Sequence, residues 1–473
     1  FFFFSGVGLS AQSQLCTGSL GDPIVNLTFG AGQGYAPALG SSITDYNYKV
    51  GDCPDDGSYS ILNRTSQCFG NSWHTLTSDH TGNPNGYFML INASYSPGNF
   101  YVQTISGLCA NTTYEFAAWM MNVILNPATI KPNITFRIET VGGTVLKEYN
   151  TGDIPAVSSP AWKQYGFYFK TPEDASTIVL KMTNNAPGGI GNDIALDDIT
   201  FRPCGPNLTV STTNALDTTD MCQEKSFPVL LGSQSSTGFA DPVFFWQQSR
   251  DSGRTWQDVA GASSNTLLFQ SSQPGAYWYR FSAAEKQNSG RQACRGASNI
   301  ITINVHPTPV SNAGADKQVL KGFKTKLGGN AAQAGYVYNW SPSLYIDNSN
   351  SAQPQIQPEE DMQYTLTTLS PWGCSSTDDV VVKVAAELYI PNAFTPNGDG
   401  RNDVWRVPFL DADMEAQVRV YNRYGQLVYA ASGQHITWDG KNKGKPQPAG
   451  SYIYNIQFKS DYPALKGILH LLR

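Results

Sequence analysis

The stretch IPNAFTPNGDGRNDVW, residues 390–405, decides how the chain is divided, because it opens a final segment that runs to Arg473. Two apolar anchors, Phe394 and Trp405, bracket a run of Asn, Asp and Gly residues. Glycine supplies backbone freedom, and Asn and Asp side chains hydrogen-bond nearby backbone groups. The run therefore predicts a structured loop rather than a helix or a strand.

The same loop carries oxygen-bearing side chains at Asn397, Asp399 and Asp403. Calcium prefers oxygen ligands, so these three residues form a candidate calcium site. The loop lacks the glutamate that closes an EF-hand, and a metal-free loop held by Asn and Asp turns fits the same residues. A structural calcium ion is thus one of two open interpretations.

Residues 387–473 resemble the gliding-motility-associated C-terminal domain of Bacteroidetes bacteria. The family pattern F-T-P-N-G-D-G-x-N-D-x-[FW] is met from Phe394 to Trp405. Further blocks follow in the family's order, namely VRVYNRYG at 418–425, WDG at 438–440, PAGSYIY at 448–454 and GILHLLR at 467–473. The resemblance implies a type B sorting domain that is read by the outer-membrane machinery of the type IX secretion system. It also implies a protein that is secreted or held at the cell surface.

The composition of the whole chain is typical of extracellular all-β modules. Aromatic residues make up 12% and charged residues 14%, while 44 Gly and 28 Pro supply turns. A length of 473 residues favours three or four domains. The net charge of -6 comes without a Lys/Arg cluster, which argues against a nucleic-acid partner. No apolar run is long enough to form a transmembrane segment.

Residues 1–13 are interpreted as the remnant of a signal peptide. Phe1 to Phe4 look like the end of an apolar region, and Ala11-Gln12-Ser13 is similar to a cleavage site. An ordered N-terminal strand is the alternative.

Eight cysteines occur without a C-x-x-C motif, which favours disulfides over a zinc site in an exported protein. The expected pairs are Cys53–Cys68, Cys222–Cys294 and either Cys109–Cys204 or Cys16–Cys204, with Cys374 left unpaired.

Residues 14–206 predict a first domain with a jelly-roll fold. Seven runs alternate apolar and polar residues between turn signals, at 24–29, 87–92, 114–123, 134–139, 164–170, 177–183 and 194–202. DHTG at 79–82, GYFM at 86–89 and ALDDI at 195–199 resemble MAM domains and galactose-binding-like carbohydrate modules. That resemblance implies a calcium ligand at Asp197 or Asp198, with a solvated carboxylate as the alternative.

Two aromatic residues of this domain are candidates for ligand binding. Alternation along a strand places Tyr114, Phe116 and Ala118 on one face and Trp119 on the other. Tyr168 likewise lies on the strand face opposite to that of its aromatic neighbours in the same strand. Because core packing needs one face only, Trp119 and Tyr168 could stack on a sugar, or loops could cover them.

The middle of the chain predicts two more sandwiches. Residues 207–306 carry Cys222, Trp246 and Cys294 in the order of an immunoglobulin-like domain, although the spacings differ from those of antibodies. Residues 307–386 resemble PKD-like repeats of bacterial surface proteins, through YVYNWSP at 336–342 and YTLTT at 364–368. The predicted fold is therefore all-β, a jelly roll followed by three Ig-like or PKD-like sandwiches.

The chain lacks the sequence motifs of common catalytic sites. There is no G-x-S-x-G, no H-E-x-x-H and no Walker loop, and His80 in Ser78-Asp79-His80 is favoured as a turn residue. The sequence predicts a non-catalytic surface protein that acts in adhesion or surface binding. The alternatives are a carbohydrate-binding protein acting through the jelly roll, a filament component, and a hydrolase with two carboxylates in one cleft of the first domain.

Overall fold

The computed structural model describes residues 15–125, 130–173, 177–189, 191–214, 217–223, 228–408, 415–433, 435–459 and 463–473. The predicted signal-peptide remnant at 1–13 lies outside these residues. The fold is all-β, as predicted, and the chain divides into two compact units. The second unit consists mainly of Asn304–Arg473, and the first contains most of the chain before it. No helix within the described ranges has the length and apolar character needed to cross a membrane.

Two sheets form the N-terminal sandwich. Its strands are β1 (Val25–Leu27), β2 (Asn47–Tyr48), β3 (Ser58–Leu62), β4 (Phe88–Asn92), β5 (Gly98–Ser106), β6 (Thr113–Asn122), β7 (Asn133–Glu139), β8 (Val145–Asp153), β9 (Lys163–Lys170), β10 (Thr177–Asn184) and β11 (Ile194–Pro203). One sheet has the order β2-β3-β4-β11-β6-β9, with β1 beside β11, and the other has the order β5-β10-β7-β8. Residues from both sheets meet in one buried core.

Period-2 alternation identified the core-facing residues of β6 correctly. Tyr114, Phe116 and Ala118 are buried in this core, while Trp119 points to the opposite face. The seven predicted runs correspond to β1, β4, β6, β7, β9, β10 and β11. The sequence missed β2, β5 and β8, which lie at sheet edges and carry many polar residues, and β3, which is buried along its whole length and does not alternate.

The next sandwich is also built from two sheets. Its strands are β12 (Leu208–Thr212), β13 (Thr218–Cys222), β14 (Val229–Ser235), β15 (Pro242–Ser249), β16 (Gln257–Asp258), β17 (Thr266–Phe269), β18 (Gly275–Glu285), β19 (Gly296–Ala297) and β20 (Ile301–His306). The sheet orders are β12-β14-β17 and β13-β20-β18-β15-β16, with β19 beside β18. Trp246 on β15 is fully buried and its ring lies 5.2 Å from that of Phe281. Short 3-10 helices occur at Phe69–Asn71, Lys286–Asn288 and Gln292–Cys294.

The second unit contains the two C-terminal sandwiches. Their strands are β21 (Lys317–Leu320), β22 (Thr325–Lys326), β23 (Val337–Ser341), β24 (Gln355–Ile356), β25 (Met362–Leu369), β26 (Ser375–Ala385), β27 (Ala393–Phe394), β28 (Trp405–Arg406), β29 (Gln417–Tyr421), β30 (Leu427–Ser432), β31 (Thr437–Trp438), β32 (Lys441–Asn442), β33 (Lys445–Pro446), β34 (Gly450–Gln457) and β35 (Leu465–Leu471). The main sheets have the orders β21-β26-β25-β23 and β27-β35-β34-β29-β30, and the small ones pair β22 with β24, β28 with β31 and β32 with β33. Leu320 and Phe323 from the segment before residue 387 pack into the core of the last sandwich. Residues on both sides of the predicted boundary at 386/387 therefore share one core, and the boundary itself stays a prediction.

The four disulfides correct the predicted pairing in part. They are Cys16–Cys204, Cys53–Cys68, Cys109–Cys294 and Cys222–Cys374. Cys53–Cys68 and the alternative Cys16–Cys204 agree with the sequence-based expectation. The predicted pairs Cys222–Cys294 and Cys109–Cys204 are wrong, and so is the unpaired Cys374.

Long-range packing explains these errors. Cys294 lies in a 3-10 helix after β18, rather than in a strand of the Ig-like core, and it meets Cys109 from the jelly roll in the same unit. Cys222 ends the edge strand β13 and, like its partner Cys374, belongs to the second unit. Cys204 follows β11, where a bridge to Leu20 brings the N-terminal segment and its Cys16 alongside.

Candidate functional site

A β-bulge on β11 brings together several of the residues that the sequence singled out. The register between β11 and β6 shifts between Asp197 and Thr200, and Asp198 adopts a φ of 41°. A bulge re-aims side chains, and a positive φ at a residue other than glycine is strained. Asp197 and Asp198 consequently both face His80 from the loop before β4. We call these three residues the His80 cluster.

The geometry of the His80 cluster fixes the imidazole from both sides. Asp197 Oδ2 lies 2.9 Å from His80 Nδ1 and also accepts the His80 backbone N–H at 3.2 Å. Asp198 Oδ2 lies 3.6 Å from Nε2. The ring stacks on Trp119 with centroids 4.7 Å apart, and the edge of Trp162 lies at 6.4 Å. Because His80 covers one face of Trp119, a sugar could stack only on what that indole leaves exposed.

Burial controls the ionisation of the two carboxyl groups. Burial raises the pKa of Asp197 to about 6, although the hydrogen bonds from His80 lower it. Burial also raises the pKa of Asp198, where His80 lowers it and the nearby charge of Asp79 raises it. Asp79 itself accepts hydrogen bonds from the Thr81 N–H and hydroxyl, so it holds the turn that presents His80.

The His80 cluster offers three metal-ligating atoms within 4.8 Å of one another. An imidazole among the donors suits a transition metal better than calcium, which prefers oxygen ligands. The same contacts also tie the loop to the sheet without any ion, as expected for a turn histidine. A calcium ion at Asp197 or Asp198 stays a prediction.

A cleft at another part of the jelly roll joins aromatic and acidic side chains that the sequence did not single out. It has a volume of about 370 Å³, and its walls include Asp56, Phe69, Trp73, Asn92, Tyr95 and Asp193. Phe69 is 51% exposed and Tyr95 72% exposed, which is unusual for side chains of this size. We call this feature the aromatic cleft.

Local covalent and backbone constraints hold the aromatic cleft in shape. The Cys53–Cys68 disulfide ends directly before Phe69, which has a φ of 47°. The ring of Phe69 packs against Trp73 with centroids 4.8 Å apart. Gly188 donates its N–H to the Tyr95 carbonyl at 3.0 Å, and a Cβ on this glycine would lie 2.0 Å from the Tyr95 Cα. Only glycine fits there, so the chain at Tyr95 is held close to this second loop.

Asp193 is the most deeply buried acid of the aromatic cleft, with 6% of its surface exposed. The Ala93 backbone N–H donates to its Oδ1 at 3.0 Å. Burial raises the pKa of Asp193 to about 7, the Ala93 hydrogen bond lowers it, and the like charge of Asp56 raises it. The Asp56 carboxylate also faces the Tyr95 hydroxyl and raises the pKa of Tyr95.

Replacement of Asp193 by asparagine should stabilise the protein at high pH. The native carboxyl has a pKa of about 7 against an ordinary value of 3.8, so folding takes up a proton between these values and stability falls as pH rises through that window. Asparagine carries no carboxyl group, so the stability of the variant does not fall in this pH window. Its free energy of unfolding should therefore exceed that of the wild type by about 2–4 kcal/mol at pH 8. The two proteins should differ little at pH 3.5. Urea denaturation at both pH values measures this, and an equal difference at the two would contradict it.

Tyr168 lies in a separate crevice of the first unit. Its side chain is 46% exposed, as its predicted outward orientation requires. The crevice also includes Lys170, Phe239 and Glu285, and its walls are more polar than those of the aromatic cleft. Trp119 and Tyr168, the two predicted ligand-binding residues, therefore do not share one site, and their role in binding stays a prediction.

The loop from Thr395 to Asp403 uses its polar side chains to bind its own backbone. Asp403 accepts the N–H groups of Gly398 and Gly400 at 2.6 and 2.7 Å. Asp399 accepts from the Arg401 N–H at 2.8 Å, and Asn397 accepts from the Asp399 N–H at 3.1 Å. The Arg401 hydrogen bond is the main cause that lowers the pKa of Asp399. These contacts are the ones expected of a loop that Asn and Asp turns hold without a metal ion. Calcium at this loop stays a prediction.

Sequence signals for the aromatic cleft existed but were weak. Phe69 follows one half of a correctly predicted disulfide, and Asp193 starts the run DIALDDI that drew attention to Asp197 and Asp198 instead. Asp56 and Tyr95 lie in loops with no motif. Nothing local to these residues shows that the fold brings them to one cleft.

The family comparison identifies the last domain. The family model of the CHU_C type IX secretion signal domain matches residues 388–471. This part of the chain is thus a type IX secretion signal, which marks a secreted or cell-surface protein and implies the secretion machinery as a partner. The prediction from the sequence blocks is confirmed. No curated protein matches the chain.

Solved structures similar to the chain are β-sandwich proteins. A CBM4 structure is 19% identical with a TM-score of 0.19 and covers 25% of this chain and 70% of its own. The CBM22-1 xylan-binding domain of Paenibacillus barcinonensis Xyn10C is 12% identical with a TM-score of 0.22, at 40% and 97% coverage. The FN1-FN3 domains of chicken CNTN1 are 12% identical with a TM-score of 0.18, at 51% and 94% coverage. At these scores nothing about function follows from them.

Proposed function

We propose that the protein is a non-catalytic surface-binding protein, delivered by its type IX secretion signal, whose N-terminal jelly roll holds the ligand. The aromatic cleft carries this proposal, because it presents exposed rings beside polar groups on a rigid support. Ligand sites commonly combine a largely apolar wall with a few fixed polar groups. Adhesion is the role that such a module would serve on a cell surface, and a glycan is the alternative class of ligand.

One observation favours a second candidate, a hydrolase. Asp56 and Asp193 line the same cleft, and the raised pKa of Asp193 would suit a general acid. Two carboxylates in one cleft of the first domain are what a hydrolase at this place would require. We favour binding because burial and the adjacent Asp56 account for the raised pKa without any catalytic role.

The proposal predicts that the aromatic cleft, and neither of the other two aromatic sites, carries binding. The purified full chain is applied to immobilised bacterial and plant polysaccharides, and bound protein is measured. Phe69→Ala and Tyr95→Ala should each lower retention by up to about tenfold, since an aromatic stacking contact contributes roughly 0.5–1.5 kcal/mol. Trp119→Ala and Tyr168→Ala are the matched aromatic controls and should bind as the wild type does.

Two outcomes would decide against the proposal. Loss of binding in Trp119→Ala or Tyr168→Ala alone would move the site to the strand faces that the sequence favoured. Release of shortened oligosaccharides during the incubation, abolished in Asp193→Asn, would show hydrolysis rather than binding.

A further inference from the structure

The aromatic cleft has an uneven charge. Among its lining residues that the structure describes, Asp56 and Asp193 are carboxylates and none is lysine, arginine or histidine. Asp193 is 6% exposed, and the interactions that act on its carboxyl are burial, one backbone N–H and the like charge of Asp56. A buried carboxylate without a countercharge is costly, so the cleft favours a ligand that supplies positive charge.

The rings of the same cleft add a second attraction for a cation. Phe69 and Trp73 pack at 53° with centroids 4.8 Å apart, and Tyr95 adds a third, largely exposed ring. The face of an aromatic ring is negative and attracts ammonium groups. The left-handed backbone at Phe69 and Asn71, with φ values of 47° and 66°, keeps this wall in one unusual conformation beside the Cys53–Cys68 disulfide.

We propose that the aromatic cleft binds a ligand that carries a protonated or quaternary amine, with its charge between Asp193, Asp56 and the aromatic rings. This inference rests on the proposed binding function of the cleft and adds the chemical class of the ligand. A neutral ligand would stack on the rings and leave the two carboxylates without a countercharge. A bare metal ion would neutralise the carboxylates and leave the rings without a partner.

The test compares ligand pairs that differ in charge. Calorimetry on the full chain at pH 8 uses two pairs: choline against its uncharged isostere 3,3-dimethylbutan-1-ol, and n-butylamine, which stays protonated at this pH, against butan-1-ol. At least one cationic member should bind about tenfold more tightly than its neutral counterpart. Asp193→Asn should remove this preference, Phe69→Ala should weaken binding of the cation, and Tyr168→Ala should change neither. Circular dichroism confirms that each variant is folded.

The outcomes separate this inference from the proposed function. Equal affinity for both members of each pair overturns the amine and leaves a binding cleft. A preference for cations that survives Asp193→Asn places the site elsewhere and overturns the inference. Binding of Ca²⁺ that needs Asp193 but not Phe69, without binding of either amine, shows a metal site instead. Absence of binding to every probe and to the immobilised polysaccharides overturns both proposals.

Discussion

Replacement of Trp405 by alanine should lower the free energy of unfolding of the secretion signal domain by about 3–5 kcal/mol, the range for truncating a large buried aromatic residue. The side chain is fully buried, and its Nε1–H donates to the Pro391 carbonyl at 2.7 Å. Its ring lies 5.6 Å from that of Tyr454. The substitution removes this packing and the hydrogen bond that closes the polar loop onto the core.

Chemical denaturation of the full chain, followed by tryptophan fluorescence and circular dichroism, measures the effect. Tyr424→Ala is the matched control in the same domain, because Tyr424 is 73% exposed. It should change stability by less than about 0.5 kcal/mol. In a host with an active type IX system, we expect the Trp405 variant to accumulate inside the cell, on the hypothesis that the machinery recognises the folded domain. Wild-type stability of Trp405→Ala would refute the assignment of this residue to the core.

Removal of the Cys109–Cys294 disulfide should cost about 2–5 kcal/mol, since the bond closes a long loop in the first unit. Cys109→Ser, Cys294→Ser and the double variant should lose the same amount, because each removes one and the same bond. Loss of Cys53–Cys68, which closes a far shorter loop, should cost less in the chain-entropy account.

Denaturation under non-reducing conditions, together with mass mapping of the linked peptides, measures this prediction. If Cys109 instead paired with Cys204, the variants Cys109→Ser and Cys204→Ser would match each other, and Cys294→Ser would be independent of both. That pattern would restore Cys109–Cys204, one of the two pairings that the sequence left open.

Local pattern predicted the parts of the fold that depend on near neighbours. Tyr114, Phe116 and Ala118 were placed on the core face correctly because side chains alternate along any strand. Edge strands such as β8 were not predicted, because a strand with one solvated face and many polar residues resembles a loop in sequence. The order of short blocks in residues 387–473 identified the secretion signal domain, because each block corresponds to one local turn or strand and can be recognised without long-range contacts.

The candidate site depends on contacts that local sequence patterns do not predict. Asp197 and Asp198 were singled out through a family resemblance, but the bulge that turns both toward His80 appears only once β11 is paired with β6. Asp56 and Asp193 drew no attention, because a carboxylate in a loop is ordinary until folding buries it. Burial and the approach of a second charge, which raise the pKa of Asp193, are properties of the packed chain.

Sequence patterns were enough to predict that this protein is all-β and that its C-terminal domain, from the FTPNGDG loop onward, is a type IX secretion signal. Alternation, turn residues and ordered blocks are local, so they can be recognised along the chain. The pairing of cysteines that are far apart, such as Cys109 with Cys294, and the set of rings and carboxylates that share a cleft follow from the folded chain alone. Those contacts join residues far apart in sequence, and they depend on how loops converge at the end of a sandwich, which no local pattern encodes.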